Sequence, residues 1–477
     1  MNRGGTRGLT VLAVLAFAAG GACGTTSKPS GDGSTGAGSN SPAVAGADVK
    51  QGGVWRESFT EPATLDPSFI FDGSGVKAGK LLFVGLTTFD DNPELAMRPG
   101  VAERWSANAD CTQWTFNLRR SAFSNGEPVT AESFIRTMTR AADGRAASRV
   151  AGHLSEIQGY AALHGTAGSP PSNTTFSGLS APDPQTLVIR LNAPNCEFDR
   201  KTYHWVYSPV PSAAGAYDNK AFSDAPIGNG PFMLKQGTKW EHDKGIVLVR
   251  NDSYFGPKPH LDEINFTIFG SQAPPGTTWQ SFQAGELDVG FPPAGQRRQA
   301  EGTYGPQGGF VNRLSYSTGY VQPNNSRGPM ANVDARKAVS MVLDRDAISQ
   351  ALQEGYAAPA TAFVAPRWGP YHQPGVCDAC RLDPAAAKEA AARGGLTVGT
   401  RLRFVVTPAL VPTAQAMKDQ LEKNLGIDVD VEGLPAAEVT ARRTRGDFDL
   451  GIGAYVPDYP TVDALLYAVL GKDSAEN

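Results

Sequence analysis

The chain has 477 residues, 40% hydrophobic and 19% charged, with a formal net charge of −4. That length exceeds a single compact core and points to two or three domains of a globular protein, neither disordered nor multi-spanning. The near balance of charge offers no basic footprint for nucleic acid and no polybasic membrane patch.

Arg3 and Arg7 precede an apolar run from Leu9 to Ala19, and Gly20, Gly21, Ala22 and Cys23 follow. A positive start, a short apolar middle and small residues before a cut read as a secretory signal over 1–22, and the run is too short to span a bilayer. Small residues directly before Cys23 resemble a bacterial lipoprotein box, in which the cysteine is lipidated and becomes the new N-terminus. The following stretch to Asp48 is rich in Gly, Ser, Thr and Ala, too poor in apolar surface to order itself, so 23–50 reads as a tether. The expected location is the extracytoplasmic face of a cell membrane, held by lipid.

Gly53–Phe59 reads as a first strand with a turn-rich exit through Glu61 to Pro67. Thr112–Arg119 and Gln185–Leu191 alternate like strands. Thr130 with Ser133 three positions on, and Glu132 in the first turn, signal a helix start, and Phe134, Ile135 and Met138 follow helical spacing. Asp334–Gln353 reads as one helix with Ala338, Val339, Val342 and Leu343 on a face. Thr413–Leu425 is a further helix that stops at Gly426 and feeds a strand at Ile427–Val431. Alternating strands and helices favour an α/β fold.

An exported chain meets an oxidising environment, so its remaining cysteines are expected to pair. Cys111 opens the first alternating strand and Cys196 follows the second; antiparallel pairing brings those ends together and predicts Cys111–Cys196. Cys377 and Cys380 then close a short loop. Free thiols are one alternative there, and a metal with His372 is another, although three ligands make an incomplete zinc site. The six histidines are scattered without metal spacing, and no cofactor is implied.

The order of motifs resembles the family 5 extracytoplasmic solute-binding proteins, receptors of peptide- and nickel-type ABC importers. The resemblance is carried by Leu65-Asp66-Pro67, Pro99–Trp105, Trp114–Arg119 and Phe123–Glu132. It continues through Pro226–Phe232, Asn251–Gly256, Ala284–Asp288, Asp334–Ala338 with Asp344-Arg345, Gly446–Asp449 and Asp458-Tyr459-Pro460. Any single segment is weak; the series in one order across residues 51–460 is specific.

The resemblance implies a two-lobed α/β periplasmic-binding-protein-like fold of type II that closes over its ligand. One lobe would span 51–272, with an inserted subdomain at about 72–205, and the other 273–477. Family members run further past Asp-Tyr-Pro, so the resemblance also implies that the second lobe lacks a C-terminal return segment. The implied partners are a peptide ligand and the permease subunits of the importer, with the receptor a monomer.

At the site, Asp458 matches the carboxylate that pairs with a peptide α-ammonium, and Tyr455 stands where an aromatic lines the cleft. The backbones of Ala454 and Val456 would offer strand-edge hydrogen bonds, Arg443 matches an arginine that meets a ligand carboxylate, and Glu61 borders the cleft. Trp279 and Trp368 are further candidates to line it. Ala436 and Leu410 fall where oligopeptide receptors carry a tryptophan and a histidine. The competing readings are a receptor for a metal chelate, haem or an opine-like solute, a sensor working without a transporter, and, remotely, an exported enzyme. Against the last, the sequence holds no Gly-x-Ser-x-Gly, His-Glu-x-x-His or P-loop motif.

Overall fold

The computed structural model describes residues 50–89, 96–166, 169–217, 219–270, 274 and 276–470. The signal, Cys23 and the tether up to residue 49 lie outside them. Contacts divide the described chain into an N-terminal unit that ends at Phe291 and a C-terminal unit that begins at Pro292. The division therefore falls beyond the 272/273 expected from sequence, because the helix Thr277–Gln283 stays with the N-terminal unit. Asp288 holds it there: its amide donates to the Arg56 carbonyl (2.8 Å), and its carboxylate accepts from the Arg56 amide (2.7 Å) and guanidinium (2.8 Å).

The strands in chain order are β1 (Val54–Phe59), β2 (Thr87–Phe89), β3 (Met97–Pro99), β4 (Ala102–Ala107), β5 (Gln113–Leu118), β6 (Leu179–Asp183), β7 (Thr186–Arg190), β8 (Phe232–Leu234), β9 (Gly245–Arg250) and β10 (Glu263–Ile268). The C-terminal unit adds β11 (Gly319–Pro323), β12 (Arg401–Val406), β13 (Asp428–Gly433) and β14 (Leu450–Ala454).

In the N-terminal unit, β1 runs parallel to β10, and β9 and β8 continue the sheet antiparallel. Phe59, Ile264, Phe266, Ile246 and Leu248 bury its inner face against the helix Gly73–Leu82. A second sheet, in order β4-β5-β7-β6, has its own core around Trp114, Phe116, Leu118, Leu187 and Ile189. In β5 every second residue is buried, as its alternation requires, and Phe116 faces Leu187 across the ladder. Because helix Gly73–Leu82 packs with the first sheet, this second core begins at Val84 rather than near 72, and it runs to Tyr207.

The antiparallel register of β5 and β7 places Gln113 opposite Arg190, and just beyond those ends the structure joins Cys111 to Cys196, with Cα atoms 5.0 Å apart. The helix Ala131–Ala142 starts in a capping box in which Thr130 N–H donates to Ser133 Oγ (3.2 Å). Where the chain returns at Gly228, a Cβ would meet the Leu82 carbonyl at 1.9 Å, so only glycine fits. The adjoining Asn229 side chain is buried and bonds both the N–H and the C=O of Val84 at 3.0 Å.

The two cores of this unit are tied by a buried ion pair. Arg140 on the capped helix forms a fork to Asp66 at 2.9 and 2.6 Å, with side chains 3% and 0% exposed. Nη1 also reaches Ser68 Oγ (2.8 Å), and Nη2 the carbonyls of Ala214 (3.2 Å) and Tyr217 (2.8 Å). Such a pair contributes little over an apolar substitute, but removing one partner strands a charge.

In the C-terminal unit, the sheet order is β11-β14-β12-β13. β12 and β13 are parallel and connected by the helix Val411–Leu425, whose stop is Gly426 with φ +67. Leu402, Phe404, Val406 and Leu450 meet Leu421 and Leu425 in the core. Asp334–Gln353 is not one helix but two, Val333–Met341 and Arg345–Gln353. Asp344 breaks it by capping the second, accepting from Ala347 N–H (2.9 Å) while its own N–H is taken by Gln420 Oε1 (2.7 Å). Cys377 and Cys380 are bonded, and His372 uses Nδ1 on the Val364 carbonyl at 2.6 Å.

Asp66→Ala is expected to destabilise the protein by about 3–5 kcal/mol in urea unfolding, while Asp66→Leu combined with Arg140→Met costs markedly less. Equal losses in the two variants would show that the pair is not held as a buried charge couple.

Candidate functional site

The residues singled out at the C-terminal end of the sequence lie on β14 and its two flanks, all within the C-terminal unit. The helix Ala436–Thr444 brings in Arg443, a turn at Gly446 (φ +63) reverses the chain, and β14 then runs into Tyr455–Asp458. Asn324, buried, pins the turn by donating to the carbonyls of Gly446 (2.9 Å) and Phe448 (3.0 Å).

The entry to β14 is fixed by ions. Asp447 accepts from Arg403 and from Arg442 (2.8 Å), and Asp449 accepts from the Arg403 backbone N–H (2.8 Å). The hydrogen bond from Arg403 foremost, with its charge and that of Arg442, holds the Asp447 carboxyl below the usual range. The pair Asp447 and Asp449 is therefore a structural brace rather than acid–base machinery.

The register of β14 decides which backbone groups are engaged. Asn324 N–H donates to Asp449 O (2.9 Å), and the ladder continues with Gln322 opposite Gly451 and Tyr320 opposite Gly453. By antiparallel alternation, the N–H and C=O of Leu450, Ile452 and Ala454 then point away from β11. Pro323, which has no N–H, sits opposite Leu450, where none is needed. On the far side, β12 pairs with β14 only through Phe404 and Leu450. Among the described residues no strand continues that ladder past Leu450.

Arg443 meets one of these outward-pointing groups. Its Nη2 donates to the Ile452 carbonyl at 2.7 Å. A Cβ on Gly451 would meet that guanidinium at 2.9 Å, so the glycine makes room for it. The sequence suggested that Arg443 meets a ligand carboxylate; here it is engaged with the strand's own backbone.

Past Ala454 the chain turns, and the Tyr455 hydroxyl donates to Asp458 Oδ2 at 2.8 Å. A carboxylate accepts at about four lone-pair sites, so this bond takes one and orients the group. Both residues are half-buried, Ala454 is exposed, and Val456 is 63% exposed. The structure thus gathers Ala454, Tyr455, Val456, Asp458 and Arg443 at one end of one strand. Chemically this is an anionic acceptor beside an unladdered strand edge, suited to a cation followed by extended backbone.

Glu61 lies in the N-terminal unit, after β1, and is committed there. It accepts from His242 Nδ1 (2.8 Å) and from the Asp243 N–H (3.1 Å), with Asp224 at the opposite ring nitrogen of His242 (3.1 Å). Trp279 and Trp368 are both buried, and Trp368 donates its indole N–H to the Tyr316 carbonyl at 2.9 Å.

The model of the bacterial extracellular solute-binding proteins, family 5, matches residues 96–477. The chain belongs to this family. Among similar proteins, the dipeptide-binding protein DppE of Bacillus subtilis is 27% identical over 84% of this chain and 73% of its own length. The periplasmic oligopeptide-binding protein OppA of Salmonella typhimurium is 28% identical over 88% and 78%. The murein tripeptide binding protein MppA of Escherichia coli aligns with TM-score 0.70 and 25% identity, over 88% of this chain and 82% of that one. Haemophilus influenzae OppA, solved with the peptide RPPGFSPFR, aligns with TM-score 0.68 and 23% identity, over 90% and 84%. The fold of this family 5 protein is that of the OppA- and MppA-type binding proteins, and it is a member of a family of solute binders. No helix among its described residues is long and apolar enough to cross a membrane.

Replacing Arg443 with Met leaves the Ile452 carbonyl without its donor. The expected cost is about 1–3 kcal/mol in equilibrium unfolding, and unchanged stability would show that another group can serve that carbonyl.

Proposed function

We propose that the chain is the capture subunit of a peptide importer. A lipid on Cys23 and the 23–50 tether hold it at the extracytoplasmic face of the cell membrane, from which it delivers peptides to the permease. It acts as a monomer, without cofactor or catalysis. The α-ammonium of the peptide pairs with Asp458, and the first residues run extended along β14, bonding the backbone of Ala454 and Val456. Tyr455 both orients Asp458 and packs on the first side chain.

The observation that supports this most is the Tyr455–Asp458 pair at the end of a strand whose second edge lacks a ladder beyond Leu450. Main-chain bonding of this kind reads backbone rather than side chains, which suits a receptor for mixed peptides. The names of relatives that bind dipeptides and oligopeptides point the same way. An ammonium leaving water needs a counter-charge, and the carboxylate supplies it.

Titration calorimetry with a tripeptide and its N-acetylated form tests the assignment. The free amine should bind more tightly, and Asp458→Asn should cost about 2–5 kcal/mol for the free peptide while sparing the acetylated one. Equal binding of the two forms by the unaltered protein would remove Asp458 from its role.

A further inference from the structure

Along the helix Ala131–Ala142 the N-terminal unit has a groove of about 490 Å³, within the size range of small-molecule sites. All of its lining residues belong to that unit. Glu132, Ile135, Arg136, Thr139 and Asp143 recur at helical spacing and so share the face turned to it. The segment 212–217 forms the other wall.

That wall is fixed in advance. Arg140 holds it through the carbonyls of Ala214 and Tyr217, and the Ser212 N–H and hydroxyl both donate to the Glu127 carboxylate, at 2.9 and 3.0 Å. A ligand entering the groove is spared the cost of ordering it.

Charge in the groove is balanced except at one residue. Arg145 forks onto Asp143 at 2.8 and 2.6 Å, and Arg140 is paired with Asp66. The half-buried Arg136 instead gives Nη1 to the Val210 carbonyl at 2.7 Å, and among the described residues no carboxylate is paired with it. Its Nε and Nη2 have no partner there either. These two atoms form one edge of the guanidinium, whose parallel N–H groups match the two oxygens of a carboxylate. The bond to Val210 holds the side chain in place, so the edge is already oriented. Apolar surface lies in the same groove: Ile135 is half-buried, and the Tyr217 ring is 42% exposed with the Arg145 guanidinium 5.6 Å from its centroid.

We propose that this groove binds an organic monocarboxylate, its oxygens on the Nε–Nη2 edge of Arg136 and its apolar body against Ile135 and Tyr217. Phosphate is a poorer fit. The groove has one uncompensated cation, and Glu132, one helical turn away, opposes a second negative charge on the ligand. The carboxylate is that of a free acid or of a peptide C-terminus, two sources that competition separates.

Amide resonances of Gly215 and Ala216 in the intact protein would be followed while benzoate, benzamide and inorganic phosphate are added in turn. Benzoate should shift both, binding about tenfold or more tightly than benzamide. Arg136→Met should remove that margin, with a thermal melt to check that the variant is folded. Displacement of benzoate by a tripeptide but not by its C-terminal amide would identify a peptide terminus as the source; displacement by neither would identify a free acid. The proposal is overturned if benzoate leaves the two resonances of the unaltered protein in place, as it would if Arg136 simply pairs with Glu132 in solution. It is also overturned if benzamide or phosphate binds as tightly as benzoate, or if folded Arg136→Met binds benzoate as the unaltered protein does.

Discussion

A β-strand that loses its neighbour part-way along must still satisfy its backbone, and the C-terminal unit is arranged around that constraint. β14 is laddered on one side along its length by β11, but on the other only where Leu450 meets Phe404. The outward-pointing groups of Ile452 and Ala454 have to be met by something other than a strand. Arg443 meets the first, Gly451 clears the space for it, and Asn324 fixes the turn that sets the strand's start. What is left at Ala454 and beyond is a length of backbone that an extended ligand can pair with, and Asp458 marks where that ligand's charged end belongs. An edge of this kind is an aggregation hazard when long and apolar. Here it is short, and it ends in a bend held by the Tyr455–Asp458 bond.

The N-terminal unit solves a different problem, that of joining two cores built from distant segments. The first sheet takes β1 from one end and β8 to β10 from the other, so residues from Val84 to Tyr207 form an excursion with their own core. Two buried polar devices lock it to the rest. Asn229 clamps Val84 at the exit, and Asp66 receives Arg140 from inside the second core. Both are directional, so they fix the register of the junction in a way that apolar packing alone would not.

Much of this was legible in the sequence where local chemistry decides the outcome. The alternation of Thr112–Arg119 and Gln185–Leu191 gave the antiparallel ladder and hence the meeting of Cys111 with Cys196. Thr130 with Ser133 and Gly426 marked helix ends that the structure has. Other features needed tertiary information. Asp344 lies inside an apolar helical pattern, and only its bonds to Ala347 and Gln420 make it a cap. The bond between Glu61 and His242, far along the chain, has no signal in the local sequence. That Arg443 also bonds the Ile452 carbonyl could be read only from the fold.

The account rests on β14 being the strand along which a ligand's backbone lies, and amide hydrogen exchange reads this directly. Saturation with a tripeptide that has a free amino terminus should slow exchange at Ala454 and Val456, leave the β5–β7 ladder unchanged, and lose its effect in Asp458→Asn. Slowed exchange elsewhere with none at Ala454 and Val456 would contradict it.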